Sequence, residues 1–138
     1  MGITKQYLRY ADCSFCGVSN SASSNVQFVD NKVCTVGACE EVYLWDIKRN
    51  EKVSVLQYSG TKYVVCYVVV SNDRSRIAVG YADGSIRLFD PAAAVDGPQL
   101  VFSGHKSGVS CLDFDATGLR LLSGGKLSDI SIWILLNV

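Results

Sequence analysis

The stretch Ile86-Arg87-Leu88-Phe89-Asp90 has two counterparts in this chain of 138 residues. Val42-Tyr43-Leu44-Trp45-Asp46 precedes it, and Ile130-Ser131-Ile132-Trp133 follows it. The aromatic residues of the three segments, Trp45, Phe89 and Trp133, are separated by two equal intervals of 44 residues. A fixed interval of this length indicates that one structural unit is repeated along the chain.

Each repeat contains several short apolar runs, and Gly, Asn, Asp or Ser interrupts them about every 8–12 residues, a pattern that predicts short antiparallel strands. We predict strands at residues 25–29, 32–36, 42–46 and 52–57, then at 63–69, 76–80, 85–90 and 99–103, and finally at 109–114, 119–124 and 129–134. Four strands in a period of about 40–45 residues, ending in an aromatic residue that Asp usually follows, predict one blade of a β-propeller.

The predicted fold is therefore all-β, with about two and a half to three blades of an incomplete, open propeller. We divide it into an N-terminal segment (1–24), a first blade (25–58), a second blade (59–103) and a truncated third blade (104–138). Propellers typically close with four to eight blades, so we expect an N-terminal fragment, a truncated product or a partial gene model. Residues 12–19 could supply a ring-closing strand or pack locally on the first blade.

The third strand of the second unit is predicted to be apolar on both faces. Ile86 and Leu88 fall on one side of the strand and Phe89 on the other, because successive side chains alternate. Such a strand suits a sheet that is packed between two neighbouring sheets.

Several short motifs resemble the WD40 β-propeller family: Trp45-Asp46, Phe89-Asp90, Gly104-His105 and residues 79–86. In that family a buried hydrogen-bond set joins a His before the first strand, a Ser or Thr in the second, an Asp in the tight turn and the Trp of the third. The resemblance implies that the structural WD-motif residues here are Trp45, Asp46, Asp83, Phe89, Asp90, His105, Ser123 and Trp133.

The resemblance also implies that no unit holds the complete set. In the third unit the position of the Asp, 44 residues after Asp83, falls on Leu127. The second unit has Phe89 in place of Trp and Thr61 in place of His. We also expect Ile134 to stand where an Asp normally follows the Trp.

A narrower resemblance covers residues 5–18, 40–47, 78–84 and 102–106. These segments are similar to the start of the nucleolar tandem-propeller WD repeat-containing protein 3 (Dip-two) family of the small-subunit processome. The resemblance implies a non-catalytic scaffold for ribosome biogenesis, acting in small-subunit rRNA maturation within the U3 small nucleolar ribonucleoprotein of the nucleolus. Its partners would be that ribonucleoprotein and other processome WD-repeat proteins. A generic WD40 interaction adaptor, or a fragment without independent function, remains an alternative.

The charge of the chain gives no general attraction to nucleic acid or membranes, since 13 basic and 13 acidic residues balance. RNA contact would be indirect or would need a local patch, for which the candidates are Lys62, Arg74, Arg76, Lys106 and Arg120. A solvated surface is the other interpretation of these cations.

The longest apolar run, at residues 64–70, is too short to span a bilayer, and the N-terminus has no signal-peptide core. We expect an intracellular protein without membrane contact.

The cysteines offer one alternative to a purely structural interpretation. Cys13 and Cys16 have the spacing of a zinc or redox pair, and two further thiolates could come from nearby. The others, including Cys66, fall mainly in predicted strands, where Cys acts as a small apolar residue. We therefore expect free thiols at all six positions: Cys13, Cys16, Cys34, Cys39, Cys66 and Cys111.

Catalysis is not predicted from this sequence. His105 is the only histidine, and no arrangement of nucleophile, base and orienting group can be assembled around it. We expect no catalytic, cofactor-binding or metal-binding residue, no cofactor and no small-molecule substrate.

Overall fold

A computed structural model of the chain describes residues 23–59, 62–93 and 97–135. The segment predicted to contain a ring-closing strand, and also Cys13, Cys16 and Thr61, lie outside the described residues. Within them the chain forms eleven strands and no helix: β1 Val26–Phe28, β2 Val33–Ala38, β3 Glu41–Asp46, β4 Glu51–Leu56, β5 Val65–Val70, β6 Ile77–Tyr81, β7 Ser85–Phe89, β8 Leu100–Ser103, β9 Val109–Phe114, β10 Arg120–Gly125 and β11 Ile130–Ile134.

The strands form three antiparallel sheets in chain order, which confirms the predicted all-β fold of open propeller blades. The first sheet is β1-β2-β3-β4, the middle sheet is β5-β6-β7-β8, and the third is β9-β10-β11. Each predicted strand is present with its ends displaced by no more than two residues. These displacements occur because hydrogen bonds in the turns, which a hydrophobic pattern does not record, decide where pairing stops.

Six aspartates of the described residues close turns by accepting hydrogen bonds from groups nearby in the chain. They are Asp30, Asp46, Asp73, Asp83, Asp90 and Asp115. Asp73 accepts from the hydroxyl groups of Ser71 and Ser75 at 2.6 and 2.7 Å. These bonds stabilise the carboxylate and lower the pKa of Asp73 from its ordinary 3.8 to about 2. Such aspartates explain why polar residues recur at fixed places between the strands.

Polar side chains also hold neighbouring sheets in the same orientation. The side-chain amide of Asn25 bonds both backbone groups of Val68, at 2.8 and 2.7 Å. Gln27 accepts from the backbone N–H of Val70 at 2.8 Å. The turns β2–β3, β6–β7 and β10–β11 consequently share one end of the molecule, the upper end. The turns β1–β2, β5–β6 and β9–β10 share the opposite, lower end.

The hydrophobic core consists of two layers, one on each face of the middle sheet. Phe89 lies in the layer shared with the first sheet, which also contains Val42 and Leu56. Ile86 and Leu88 lie in the layer shared with the third sheet. All three β7 residues are fully buried, which confirms the predicted packing between two neighbours. Burying a side chain of this size contributes about 1.5–3 kcal/mol.

The strongest test of this packing compares one leucine in the core with one outside it. Leu88 is 0% exposed and Leu119, in the turn before β10, is 51% exposed. We expect Leu88→Ala to lower the free energy of unfolding by about 2–5 kcal/mol, because it leaves a cavity between two sheets. Leu119→Ala should change it by less than about 0.5 kcal/mol. Urea-induced unfolding measures both, and similar losses would contradict the assigned core.

Candidate functional site

Four polar side chains form a continuous hydrogen-bond network at the upper end of the third sheet. His105 Nδ1 lies 2.7 Å from Asp129 Oδ2, and His105 Nε2 lies 2.7 Å from Ser123 Oγ. The indole Nε1–H of Trp133 donates to the same Ser123 oxygen at 2.9 Å. Ser123 is completely buried and His105 is 7% exposed, so most of the network is shielded from water.

The sheet places these groups because two of them lie on adjacent strands. Ser123 on β10 and Trp133 on β11 belong to one antiparallel ladder, and His105 precedes β9 in the connection from the middle sheet. Gly125 leaves the space that the network occupies, since a Cβ atom there would collide with the Asp129 carboxylate and the imidazole ring. The equivalent residue of the middle sheet is Tyr81, which fills that space.

The prediction that the third unit lacks its carboxylate is wrong. Leu127, to which the 44-residue interval pointed, is 69% exposed at the tip of the turn. Asp129, two residues later, supplies the carboxylate to His105. The 44-residue interval would locate the acidic residue only if the turns β6–β7 and β10–β11 had the same order of side chains. In the β10–β11 turn the acidic residue instead occupies the first position after the turn. The sequence signal that could have found it is an Asp directly before the strand, together with Gly125.

The order of donors and acceptors assigns the histidine tautomer. The carboxylate of Asp129 can only accept, so the imidazole proton is on Nδ1 and donates to Asp129. Nε2 of His105 is then the acceptor for the hydroxyl proton of Ser123, at a shorter distance than the other acceptor, the backbone carbonyl of Ser131. Each of the three links, from Trp133 to Ser123, from Ser123 to His105 and from His105 to Asp129, joins a donor to an acceptor, so the network stabilises the sheet.

The electrostatics of the network are dominated by the Asp129 carboxylate. Its hydrogen bond from His105 lowers the pKa of Asp129 below its ordinary 3.8. The side chain of Asp129 is 35% exposed, so solvent screens its charge in part. Its other oxygen, Oδ1, is buried and has no hydrogen-bond partner among the described residues.

The other predicted motif residues have separate, local roles in the structure. Asp83 accepts from the backbone and hydroxyl of Ser85 at 2.9 and 2.7 Å, and Phe89 packs in the core. Trp45 donates to the side chain of Asn50 at 3.4 Å, and Asp46 and Asp90 close the turns that follow their strands. Among the described residues, only the third sheet thus assembles the set as a network.

An arginine between two tyrosines links the first and middle sheets. The guanidinium of Arg87 on β7 lies 4.5 Å from the ring centre of Tyr81 and 4.8 Å from that of Tyr58. Arg87 is 6% exposed, and its Nε and Nη1 atoms have no hydrogen-bond partner in the described part of the chain. Burial raises the pKa of the Tyr81 phenol. Desolvated cation–π contacts of this kind contribute about 2 kcal/mol.

The predicted cations do not form one patch. Lys62 and Lys106 belong to upper-end connections, whereas Arg74, Arg76 and Arg120 lie at the lower end. Arg76 donates to the backbone carbonyl of Gly118 at 3.4 Å and so serves the contact between two sheets.

The lower end carries a groove of about 740 Å³ between the first and middle sheets. Its lining includes the exposed apolar residues Phe28 and Ile47 and the opposite charges of Asp30 and Arg74. The mixture of apolar and charged groups suits a protein segment better than a phosphate backbone.

The described cysteines carry free thiols, which agrees with the prediction for these four residues. Cys34 and Cys66 are buried, and burial raises the pKa of the Cys66 thiol. Cys111 lies on β9 as predicted but is exposed, because none of the described residues covers the outer face of the third sheet. Among residues 23–59, 62–93 and 97–135, no cluster of three or more His, Cys, Asp or Glu could hold a metal ion. That part of the chain also contains no helix of the length and apolarity needed to cross a membrane.

Comparison with protein families identifies one match. The WD domain, G-beta repeat family matches residues 51–90 and 97–133, which together are more than half of the chain.

Three similar proteins illustrate the range of relatives. WD repeat-containing protein 3 of Homo sapiens is 44% identical over 94 residues, covering 64% of this chain and 10% of that protein. U3 small nucleolar RNA-associated protein 12 of Saccharomyces cerevisiae is 39% identical over 97 residues, with 63% and 10% covered. Transcription factor unc-37 of Caenorhabditis elegans is 31% identical over 120 residues, with 86% and 19% covered. The chain thus spans about a tenth of the length of the first two.

The network predicts that Ser123 has a disproportionate effect on stability. Ser123→Ala leaves the indole N–H and the imidazole Nε2 without their partner, so we expect the free energy of unfolding to fall by about 1–3 kcal/mol. Ser103→Ala, at an exposed position of β8, should change it by less than about 0.5 kcal/mol. A cycle with Trp133→Phe should show coupling of about 0.5–3 kcal/mol in urea unfolding. Additive effects would show that the two side chains act independently.

The lowered pKa of Asp129 predicts a specific pH dependence. A carboxylate whose pKa is lower in the folded state stabilises that state above its ordinary pKa of 3.8 and loses this contribution as the pH falls through the folded value. Asp129→Asn keeps an oxygen acceptor for His105 but removes the charge. We expect the wild type to be more stable than Asp129→Asn at neutral pH, and the difference to shrink as the pH falls below 3.8. Asp113→Asn, at an exposed position, is the matched control, and a pH-independent difference would contradict this account.

Proposed function

This chain belongs to the WD domain, G-beta repeat family, and we propose that it is a non-catalytic scaffold for ribosome biogenesis. Its role would be in small-subunit rRNA maturation within the U3 small nucleolar ribonucleoprotein of the nucleolus. Its partners would be that ribonucleoprotein and other WD-repeat proteins of the small-subunit processome.

The observation that carries this proposal is the similarity to two proteins from distant organisms. WD repeat-containing protein 3 of Homo sapiens is 44% identical, and the Saccharomyces cerevisiae protein, which is 39% identical, is named for its association with U3 small nucleolar RNA. Because this chain covers 10% of each, it would supply only part of the scaffold that the whole relatives provide.

The chemistry of the described surface supports a scaffold. The one histidine is committed to the network with Ser123 and Asp129, so it is not available as a catalytic base. The groove at the lower end combines polar, apolar and oppositely charged side chains, a mixture that is usual in protein contacts. Sheet faces and grooves, in this proposal, bind neighbouring proteins of the assembly.

RNA contact, in this proposal, is indirect. Lys62 and Lys106 lie at the end of the molecule opposite to Arg74 and Arg120, and the net charge is zero. A protein that neutralises several phosphates needs its cations on one surface. Contact with U3 RNA would therefore pass through partner proteins.

A generic WD40 interaction adaptor is the second candidate. The similarity to transcription factor unc-37 favours it, since that match covers 86% of this chain, more than the 64% of the human relative. That relative is named as a transcription factor, so the match leaves the choice of partner open.

Purification of the tagged chain from nucleolar extracts distinguishes the two candidates. We expect U3 small nucleolar RNA and processome WD-repeat proteins to be enriched relative to a purification with a matched WD40 fragment of a transcription factor. Purified chain without partners should bind U3 RNA weakly, with little salt dependence. Recovery of a transcription or ubiquitin-ligase complex without U3 RNA would favour the adaptor and contradict the proposal.

A further inference from the structure

A buried arginine between the first and middle sheets has hydrogen-bond donors that no group in the described part of the chain satisfies. Arg87 is 6% exposed, and its Nε and Nη1 atoms are buried without a partner. The hydroxyl of Tyr81, whose ring centre lies 4.5 Å from the guanidinium, is buried and unpaired as well. A guanidinium keeps its charge and can only donate, so burying it without an acceptor is costly. An oxygen acceptor of opposite charge at this point would remove that cost.

The repeat shows that packing of the sheets does not require an arginine at this place. The positions equivalent to Arg87 in the first and third units hold a tyrosine and a serine, and those equivalent to Tyr81 hold glycines. Tyr58 has its equivalent in Phe102, which lies against Trp133 with the ring centres 4.8 Å apart. The middle and third sheets thus pack here through a pair of uncharged rings. Arg87 is an addition to the repeat pattern, and its charge is not part of the packing that the units share.

The ring of Tyr58 separates the guanidinium from the surface. Tyr58 follows β4, its ring centre lies 4.8 Å from the guanidinium, and it is 43% exposed, whereas Tyr81 is 0% exposed. Tyr58 also lines a surface cavity of about 200 Å³ together with Glu40 and Glu41. Because Tyr58 belongs to no strand, rotation of its side chain opens a path from this cavity to Arg87 without breaking a hydrogen bond of the sheets.

The charges beside this path favour a carboxylate over a phosphate as the ligand. Arginine binds both groups through paired N–H donors. Glu40 and Glu41 line the same cavity, and they repel a doubly charged phosphate more strongly than a singly charged carboxylate. Basic side chains on either side of the carboxylate would face these two glutamates. A protein segment with Asp or Glu between Lys or Arg therefore has the complementary order of charges.

We propose that Arg87 binds the side-chain carboxylate of an acidic residue, flanked by basic residues, in a partner protein. Tyr58 moves aside to admit this side chain, and the carboxylate accepts hydrogen bonds from the unpaired guanidinium N–H groups. The rings of Tyr58 and Tyr81 then shield the ion pair from water, which strengthens it. The inference rests on the proposed scaffold function for the class of its ligand, a protein segment. It is tested with the purified chain, so its failure is distinguishable from a failure to recover U3 RNA.

Titration of the purified full chain with sodium acetate tests the site directly, because acetate carries the same group as an acidic side chain. We expect the NMR signal of the Arg87 Nε–H to shift saturably with acetate and to stay in place with sodium chloride at equal ionic strength. The exposed Arg120 should respond equally to both salts. An Arg87 signal that does not distinguish the salts would overturn the proposal. A larger response to inorganic phosphate than to acetate would overturn the choice of a carboxylate.

Fluorescence anisotropy with a labelled peptide that has a central glutamate between lysines measures the affinity. Replacing this glutamate by glutamine should weaken binding about 10-fold or more, because a charged acceptor is lost. Arg87→Met should cause a similar loss. Arg87→Lys should cause a smaller one, since an ammonium group keeps the charge but lacks the planar pair of donors. Arg120→Lys is the matched control and should bind like the wild type.

Circular dichroism confirms that each variant is folded. If Arg87→Met unfolds, the comparison of the glutamate and glutamine peptides on the wild type still tests the site, together with Arg87→Lys. Equal affinity for the two peptides would overturn the proposal, as would unchanged affinity in folded Arg87→Met. Absence of binding up to about 1 mM peptide would also contradict it.

Discussion

The structure depends on covering both faces of each apolar sheet. The middle sheet satisfies this requirement, since Ile86 and Leu88 pack towards the third sheet and Phe89 packs towards the first. A single sheet with this composition could not bury its own side chains, because alternate residues of a strand point in opposite directions. The stability of each unit therefore comes mainly from its neighbours. The residues that form the shared interface recur in the sequence at intervals of 44 residues.

Polar groups supplement this packing through a chain of hydrogen bonds in the third sheet. The network of His105, Ser123, Trp133 and Asp129 lies beside the apolar layer, and each link has a donor and an acceptor. Gly125 is part of the same solution, because any side chain there would displace the carboxylate. At the equivalent position of the middle sheet there is a tyrosine in place of the glycine. The ring of Tyr81 fills the space and stacks against Arg87.

The period of the aromatic residues predicts much of this fold because strands that pack against each other must keep a constant length. All strands of the described residues lie within two residues of their predicted ends. The same interval fails at Leu127, because turns are free to exchange the order of their polar and apolar residues while the hydrogen-bond network is retained through Asp129. The exposure of Cys111 was not predicted either, since an apolar run does not show whether a neighbouring sheet is present.

Exposure becomes informative in a repeat protein when it is compared between equivalent positions. A single exposed isoleucine is common on protein surfaces and by itself requires no explanation. Ile130 differs, because Ile86 in the same position of the preceding unit is completely buried while Ile130 is 76% exposed. The repeat thus provides an internal reference that separates an ordinary surface residue from an uncovered interface. The comparison of equivalent positions draws attention to the faces of the sheets. Such faces bind a partner through apolar contacts, for which no catalytic group is needed.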